Sequence, residues 1–169
     1  MSFASHILRT QRGIRVLRQA KPPYLNGGSR LNLAPLGGIE LTVDGTPIVI
    51  SERVSYKGMM LDGVPNLAFA LGYTNASWTL KVDLVSSWFV RLLHAMRQNG
   101  QTAVTPQLPD TPMTTSPFIE MTSGYFERSR AILPRQGDRA PWRLQQHYRK
   151  DSPLFHGSFD DDTLHFSKA

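Results

Sequence analysis

The chain has 169 residues, an apolar content of 40% and a formal net charge of +6 at pH 7. That length fits one domain of ordinary size, and the absence of cysteine excludes disulfides and thiolate metal sites. No apolar run approaches the ~18 residues of a membrane span, and the first residues lack the apolar core of a secretory signal, so a cytoplasmic protein is expected.

Residues 1–30 form a basic arm that carries all of the excess charge. They contain six basic residues and no Asp or Glu, whereas the remainder holds equal numbers of both signs. A nucleic-acid-binding domain would spread its basic charge more widely, so nucleic acid is not the expected partner. Three interpretations of the arm stay open: a poorly ordered or variable segment, a tract that binds polyanions, and an Arg-rich organelle-targeting peptide.

Two β elements are predicted next. Residues 39–50 (IELTVDGTPIVI) hold two alternating runs around Asp44-Gly45, which is a β-hairpin signal. Residues 66–73 (NLAFALGY) are continuously apolar between turn residues, which favours a strand buried on both faces, although so short a run does not exclude a helix.

A long helix is predicted over residues 75–98. The stretch has no Gly or Pro, and its apolar residues recur three or four apart, as on one buried helix face. That predicted face comprises Trp78, Val82, Val85, Trp88, Phe89, Leu92, Leu93 and Met96. From spacing alone, the better-supported interpretation is a core helix capped by Asn75 or Ser77. The alternative is a site where the helix N-terminus and the turn at 72–77 meet an electron-rich ligand.

The C-terminal part, from about residue 102, is predicted to have little regular secondary structure. Residues 102–118 are rich in Pro and Thr and predict a loop or extended linker. Three short elements are predicted in the rest of the chain. They are a helix that begins at an N-cap at Ser123, a helical turn within 141–151 and a weak strand at the C-terminal end. The histidines lack metal-ligand spacing and G-x-S-x-G is absent, so the sequence predicts neither a metal site nor a catalytic nucleophile.

Long strings of the sequence resemble one enzyme family. Residues 56–85 (YKGMMLDGVPNLAFALGYTNASWTLKVDLV) are similar to the C-terminal part of a flavin-containing (FAD/NADPH) Baeyer–Villiger monooxygenase. The resemblance continues upstream through 31–45 and downstream through 118–151 and 160–166, so it covers about residues 31–169. Residues 1–30 resemble nothing in that family.

The resemblance implies an α/β fold: the C-terminal fragment of a flavoprotein with two Rossmann-like dinucleotide-binding domains. Residues 31–105 would be the return segment of the FAD-binding domain, and residues 106–169 a Pro-rich linker and C-terminal tail. Cofactor contacts are expected from the backbone at the flavin N1–C2=O edge, and substrate-side contacts from three larger side chains. The cofactor-binding residues are Thr74, Asn75, Ala76 and Ser77, and the substrate-side residues are Tyr56, Met59 and Trp78.

The implied reaction is the oxidation of ketones to esters or lactones with NADPH and O₂. In such a reaction the flavin carries out the redox and oxygen chemistry, and the protein positions it. However, this sequence contains neither of the two glycine-rich dinucleotide fingerprints, and no Baeyer–Villiger signature lies in it. No catalytic residue is therefore assigned, and tight binding of FAD or NADPH by this chain alone is not expected. An N-terminal half on a separate chain is one candidate partner, and the sequence leaves open whether it exists. The alternatives are a truncated, inactive product of a damaged or split gene, and a small binding module that uses its basic arm.

Overall fold

The structure is a computed structural model, and it describes residues 8–9, 15–17, 40–73, 76–119, 132–159 and 162–168. The described residues form a small α/β fold with two α-helices and several small antiparallel sheets. None of the helices in these ranges is long and apolar enough to cross a membrane.

The largest described sheet is built around the predicted hairpin. Its four strands lie in chain order: β1 (Leu8–Arg9), β2 (Arg15–Leu17), β3 (Glu40–Val43) and β4 (Thr46–Ile48). The hairpin prediction is confirmed, because β3 and β4 pair antiparallel across Asp44 and Gly45, which both have positive φ as a two-residue turn requires. Strands β1 and β2 lie within the basic arm, so five of its residues take part in regular strand pairing.

Shorter elements complete the fold. They are a 3₁₀ turn (Ile50–Glu52), β5 (Ser55–Tyr56), β6 (Met60–Leu61), β7 (Ala103–Pro106), β8 (Ser116–Pro117), β9 (Arg135–Gln136) and β10 (Leu164–Ser167). Antiparallel pairs form between β5 and β6, between β7 and β10, and between β8 and β9. The predicted C-terminal strand is confirmed as β10, and its partner β7 lies inside the segment predicted to be a loop or linker.

The predicted strand at residues 66–73 is wrong. This segment has no strand conformation, because its backbone makes single hydrogen bonds to separate partners instead of a ladder. The Asn66 N–H donates to the Val104 carbonyl at 2.9 Å, and the Phe69 N–H donates to the Met59 carbonyl at 2.8 Å. The apolar run reflects packing, since Phe69 is buried in a cluster with Leu61.

The predicted long helix is confirmed as α1 (Trp78–Gln98), but its predicted buried face is only partly correct. The buried residues of α1 are Lys81, Leu84, Val85, Trp88, Leu92 and Met96. Trp78, Val82 and Leu93 are exposed, and Phe89 is half-buried. The sequence pattern contains two adjacent apolar stripes, of which one is buried and the other is largely exposed, with only Phe89 packing partly against the core.

Residues from both sides of position 105 share the main core. Tyr56, Trp88 and Val104 belong to the same buried cluster as Trp142 and Phe155. The second helix, α2 (Tyr148–His156), packs against α1 and is held there by Arg91, whose guanidinium donates to the Phe155 carbonyl. The helical turn predicted within 141–151 is therefore present from residue 148 and extends to 156, whereas the helix predicted from Ser123 lies outside the described residues.

Candidate functional site

The N-terminus of α1 is exposed, and among the described residues no side chain caps it. Ser77 occupies the N-cap position with φ −58° and ψ 130°, but its side chain makes no capping hydrogen bond. Its Oγ instead lies 2.7 Å from Thr79 Oγ1, and Ala76, Ser77 and Thr79 are all exposed. The first N–H groups of a helix have no partner inside the helix, and no acidic residue lies in this first turn, so the positive end of the helix dipole is open to a ligand.

Close packing fixes how the chain enters this helix. The Trp78 side chain lies directly over Gly72, so that a Cβ added at Gly72 would come within 2.8 Å of the Trp78 Cα and closer still to its ring. Gly72 is thus required by a close approach and not by an unusual φ. Tyr73, the next residue, is buried, so the segment is anchored immediately before the turn.

The predicted site residues lie in two different environments. Ala76 and Ser77 lie at the open end of α1, whereas Thr74 and Asn75 lie outside the described residues. Of the predicted substrate-side residues, Trp78 is exposed beside this turn. Tyr56 and Met59 are fully buried, and the Tyr56 ring packs edge-on against Trp142, with 5.5 Å between the ring centroids. The structure does not bring these three side chains together on one surface.

A buried polar cluster that was not predicted from the sequence lies beneath α1. Lys81 is 1% exposed, and its Nζ donates a hydrogen bond to the Lys57 carbonyl at 3.1 Å. The same Nζ lies 3.9 Å from the centroid of the Phe155 ring and 5.9 Å from that of Tyr73. Burial lowers the pKa of Lys81 to about 7; Asp151 raises that pKa, and the charge of Lys57 lowers it further.

The acidic member of this cluster is fully buried Asp151, in the first turn of α2. Its carboxylate accepts the N–H groups of Gln145 at 2.7 Å and His147 at 3.1 Å, which fixes the chain at the start of α2. The pKa of Tyr73 is raised, mainly by burial and to a lesser extent by the negative charge of Asp151. The cluster therefore connects α1, α2 and the residue that precedes the turn at 74–77.

One sequence signal for this cluster existed. Lys81 lies three or four residues before Leu84 and Val85, in phase with the buried stripe of α1, where a charged residue is unusual. Its acidic neighbour is 70 positions further along the chain, so spacing gives no sign of their proximity. Within the residues described, no cluster of metal-ligating side chains occurs.

Comparison with known proteins gives a consistent group of relatives. The chain is 45% identical over 162 residues to the FAD-containing monooxygenase EthA of Mycobacterium tuberculosis, a match that covers 94% of this chain and 33% of the relative. It is 41% identical over 164 residues to the putative FAD-containing monooxygenase MymA of the same species, covering 95% and 33% respectively. It is also 41% identical over 140 residues to the probable FAD-binding monooxygenase AlmA of Acinetobacter baylyi, covering 82% and 28%.

These matches cover only part of each relative. The chain spans about a third of the length of the curated relatives it matches, which is consistent with a segment of a larger flavoprotein. No protein-family model and no solved structure matches it. The relatives thus support a flavin-dependent monooxygenase, whereas none of their names specifies a Baeyer–Villiger reaction or NADPH.

Proposed function

We propose that this chain is a segment of an FAD-containing monooxygenase and that the N-terminus of α1 meets one edge of the flavin. One observation carries the proposal: the exposed N-terminus of α1, where Ser77 provides no side-chain cap, lies in a chain 45% identical to an FAD-containing monooxygenase. The complete enzyme oxidises ketones to esters or lactones with NADPH and O₂, and exposed Trp78 lies on its substrate side, whereas buried Tyr56 and Met59 support that region from the core.

The residues present fit one part of the cofactor. Uncapped backbone N–H groups at a helix N-terminus suit an electron-rich ring edge, and the helix dipole stabilises negative charge there. The rest of FAD has no counterpart, because no G-x-G-x-x-G pyrophosphate loop is present in the sequence. The fit is therefore to the flavin edge alone, and the pyrophosphate must be bound by other residues.

Flavin supplies the redox and oxygen chemistry of such enzymes. The roles of this chain are to bind and to orient. The first turn of α1 donates N–H groups, Trp78 over Gly72 fixes the direction of the entering chain, and buried Tyr73 anchors it. The isolated chain is expected to have no catalytic activity towards ketones. It acts together with a second polypeptide segment that binds the remainder of FAD. The alternative, an inactive product, shares this lack of turnover.

A chimera tests the proposal: this chain replaces the matched third of the 45% identical mycobacterial relative. Ser77→Pro removes one N–H of the turn at a residue whose φ, −58°, already suits proline. Ser77→Ala keeps that N–H and removes only the hydroxyl group. We expect Ser77→Pro to weaken flavin binding or slow flavin reduction by NADPH about tenfold, and Ser77→Ala to match the parent, as measured by flavin absorbance and by ketone-dependent NADPH consumption.

Two results would contradict the proposal. The first is a Ser77→Pro chimera that binds and reduces flavin like its parent, since the turn would then not face the cofactor. The second is ketone-dependent NADPH consumption by the isolated chain with added FAD, well above a control without protein. That result would show that the 169 residues form a complete site of another kind.

A further inference from the structure

The exposed side of α1 carries a second apolar stripe. Its members, here called the outer stripe, lie four, four, three and four residues apart: Trp78, Val82, Ser86, Phe89 and Leu93. Trp78 is 53% exposed, Val82 36% and Leu93 49%, and Phe89 is half-buried. Val90, at the edge of the stripe, is 65% exposed. The stripe contains no charged residue between Trp78 and Leu93.

This stripe is wider than a surface helix of a small protein needs. A helix that packs on one side has one apolar stripe and a polar opposite face. Here the buried face, which includes Val85, Trp88 and Leu92, is already complete. Single exposed apolar residues are ordinary, but an uncharged row along about 22 Å of helix indicates a surface that another polypeptide covers.

The relatives indicate which polypeptide covers the outer stripe. The relatives are FAD-containing monooxygenases of which this chain matches about a third, and its sequence has no pyrophosphate-binding loop. FAD must therefore be bound largely by the unmatched part. The outer stripe begins at Trp78, which is also the first residue of the helix end assigned to the flavin edge. A polypeptide that brings flavin to that end lies beside the stripe.

We propose that the outer stripe of α1 docks onto the FAD-binding polypeptide that corresponds to the unmatched two thirds of the relatives. The inference rests on the proposed function and adds the interface through which this chain joins its partner. The occupant is a folded α/β flavoprotein surface with an apolar patch, and the contact is an uncharged helix face packed lengthwise. Leu93 lies near the far end of α1, so the contact extends well beyond the flavin.

The test uses the full chain, tagged, and co-expressed with the unmatched part of the 45% identical mycobacterial relative. We expect the two polypeptides to co-purify. Leu93→Asp places a carboxylate in the contact and is expected to weaken association about 10- to 100-fold, as measured by titration calorimetry. A matched pair supplies the control: Ser86→Asp lies on the stripe and weakens association, whereas Ser87→Asp lies about 120° around the helix from Leu93 and leaves it unchanged.

Each outcome bears on the inference. It is overturned if the parental chains do not co-purify, if Ser86→Asp and Ser87→Asp have equal effects, or if the chain instead forms a homodimer that Leu93→Asp dissociates. Circular dichroism of each variant shows that the fold is retained, which half-exposed Leu93 and exposed Ser86 permit. Stripe-dependent association without bound flavin supports the docking surface and contradicts the flavin assignment, so the two proposals fail separately.

Discussion

Lys81 shows how one residue departs from the pattern around it. An ammonium group in the buried face of a helix loses its hydration, and one hydrogen bond to the Lys57 carbonyl with two aromatic neighbours replaces it only in part. Its pKa is accordingly about 7 instead of 10.5. At neutral pH both protonation states of Lys81 are populated, and the groups that face it are Asp151 on α2, the Lys57 turn and Tyr73.

This depressed pKa predicts how stability depends on pH. Between about pH 7 and about pH 10 the unfolded chain keeps a proton on Lys81 that the folded chain has lost, so stability rises with pH by up to about 1.4 kcal/mol per unit. Above pH 10 the raised pKa of Tyr73 reverses the trend, because the unfolded tyrosine ionises first. Urea unfolding of the parent at several pH values below 10 measures the slope.

Lys81→Met removes the titrating group and keeps the length of the side chain. We expect that variant to lose most of the rise in stability, whereas Lys150→Met, at an exposed position of α2, keeps it. Equal slopes in all three proteins would mean that Lys81 does not titrate in the folded chain, and that its ammonium remains charged in the core.

At the scale of elements, local sequence signals predicted the turn, the long helix and the terminal strand correctly, but they failed for the apolar segment 66–73 and did not predict long-range packing. The hairpin turn at Asp44-Gly45, the length of α1 and the terminal strand follow from neighbouring residues, and all three are present. The buried face of α1 was predicted only in part, since two adjacent apolar stripes look like one in the sequence. The cluster of Lys81 and Asp151 was not predictable, because α2 brings its carboxylate from 70 positions away.

The entry into α1 depends on the contact between Gly72 and Trp78. A methyl group at Gly72 would overlap the Trp78 ring and approach its backbone, so Gly72→Ala must move the helix start or the indole. We expect Gly72→Ala to lower the free energy of unfolding by about 1–3 kcal/mol, as overpacking commonly does. Chemical denaturation measures the loss, and tryptophan fluorescence reports the displaced indole.

Gly157→Ala is the matched control, since no heavy atom lies within 4 Å of a Cβ built at Gly157 and its φ is −65°. That substitution should leave stability within a few tenths of a kcal/mol of the parent. If both variants were equally stable, the turn before α1 would be adaptable, and the fixed orientation invoked for the flavin edge would lose its support.

At the scale of the whole molecule, one core unites the return segment and the C-terminal tail. Trp88 of α1 lies in the same cluster as Trp142, Phe155 and Leu164, although the intervening segment is rich in proline. The basic arm contacts the body through the backbone pairing of β2 with β3.

Deletion of residues 1–30 is expected to leave cooperative unfolding intact, because the arm's strands β1 and β2 extend the sheet beyond β3, whereas the main buried cluster is formed by residues between Val54 and Leu164. It also removes the entire excess of positive charge, so solubility near neutral pH should fall even though the fold persists. Trp142→Ala, which opens a cavity beside Tyr56, is the contrasting variant and should cost about 3–5 kcal/mol. Thermal unfolding followed by circular dichroism compares the three proteins. A deletion variant without a cooperative transition would make the arm structural, because the pairing of β2 with β3 would then be required to hold the hairpin on the body.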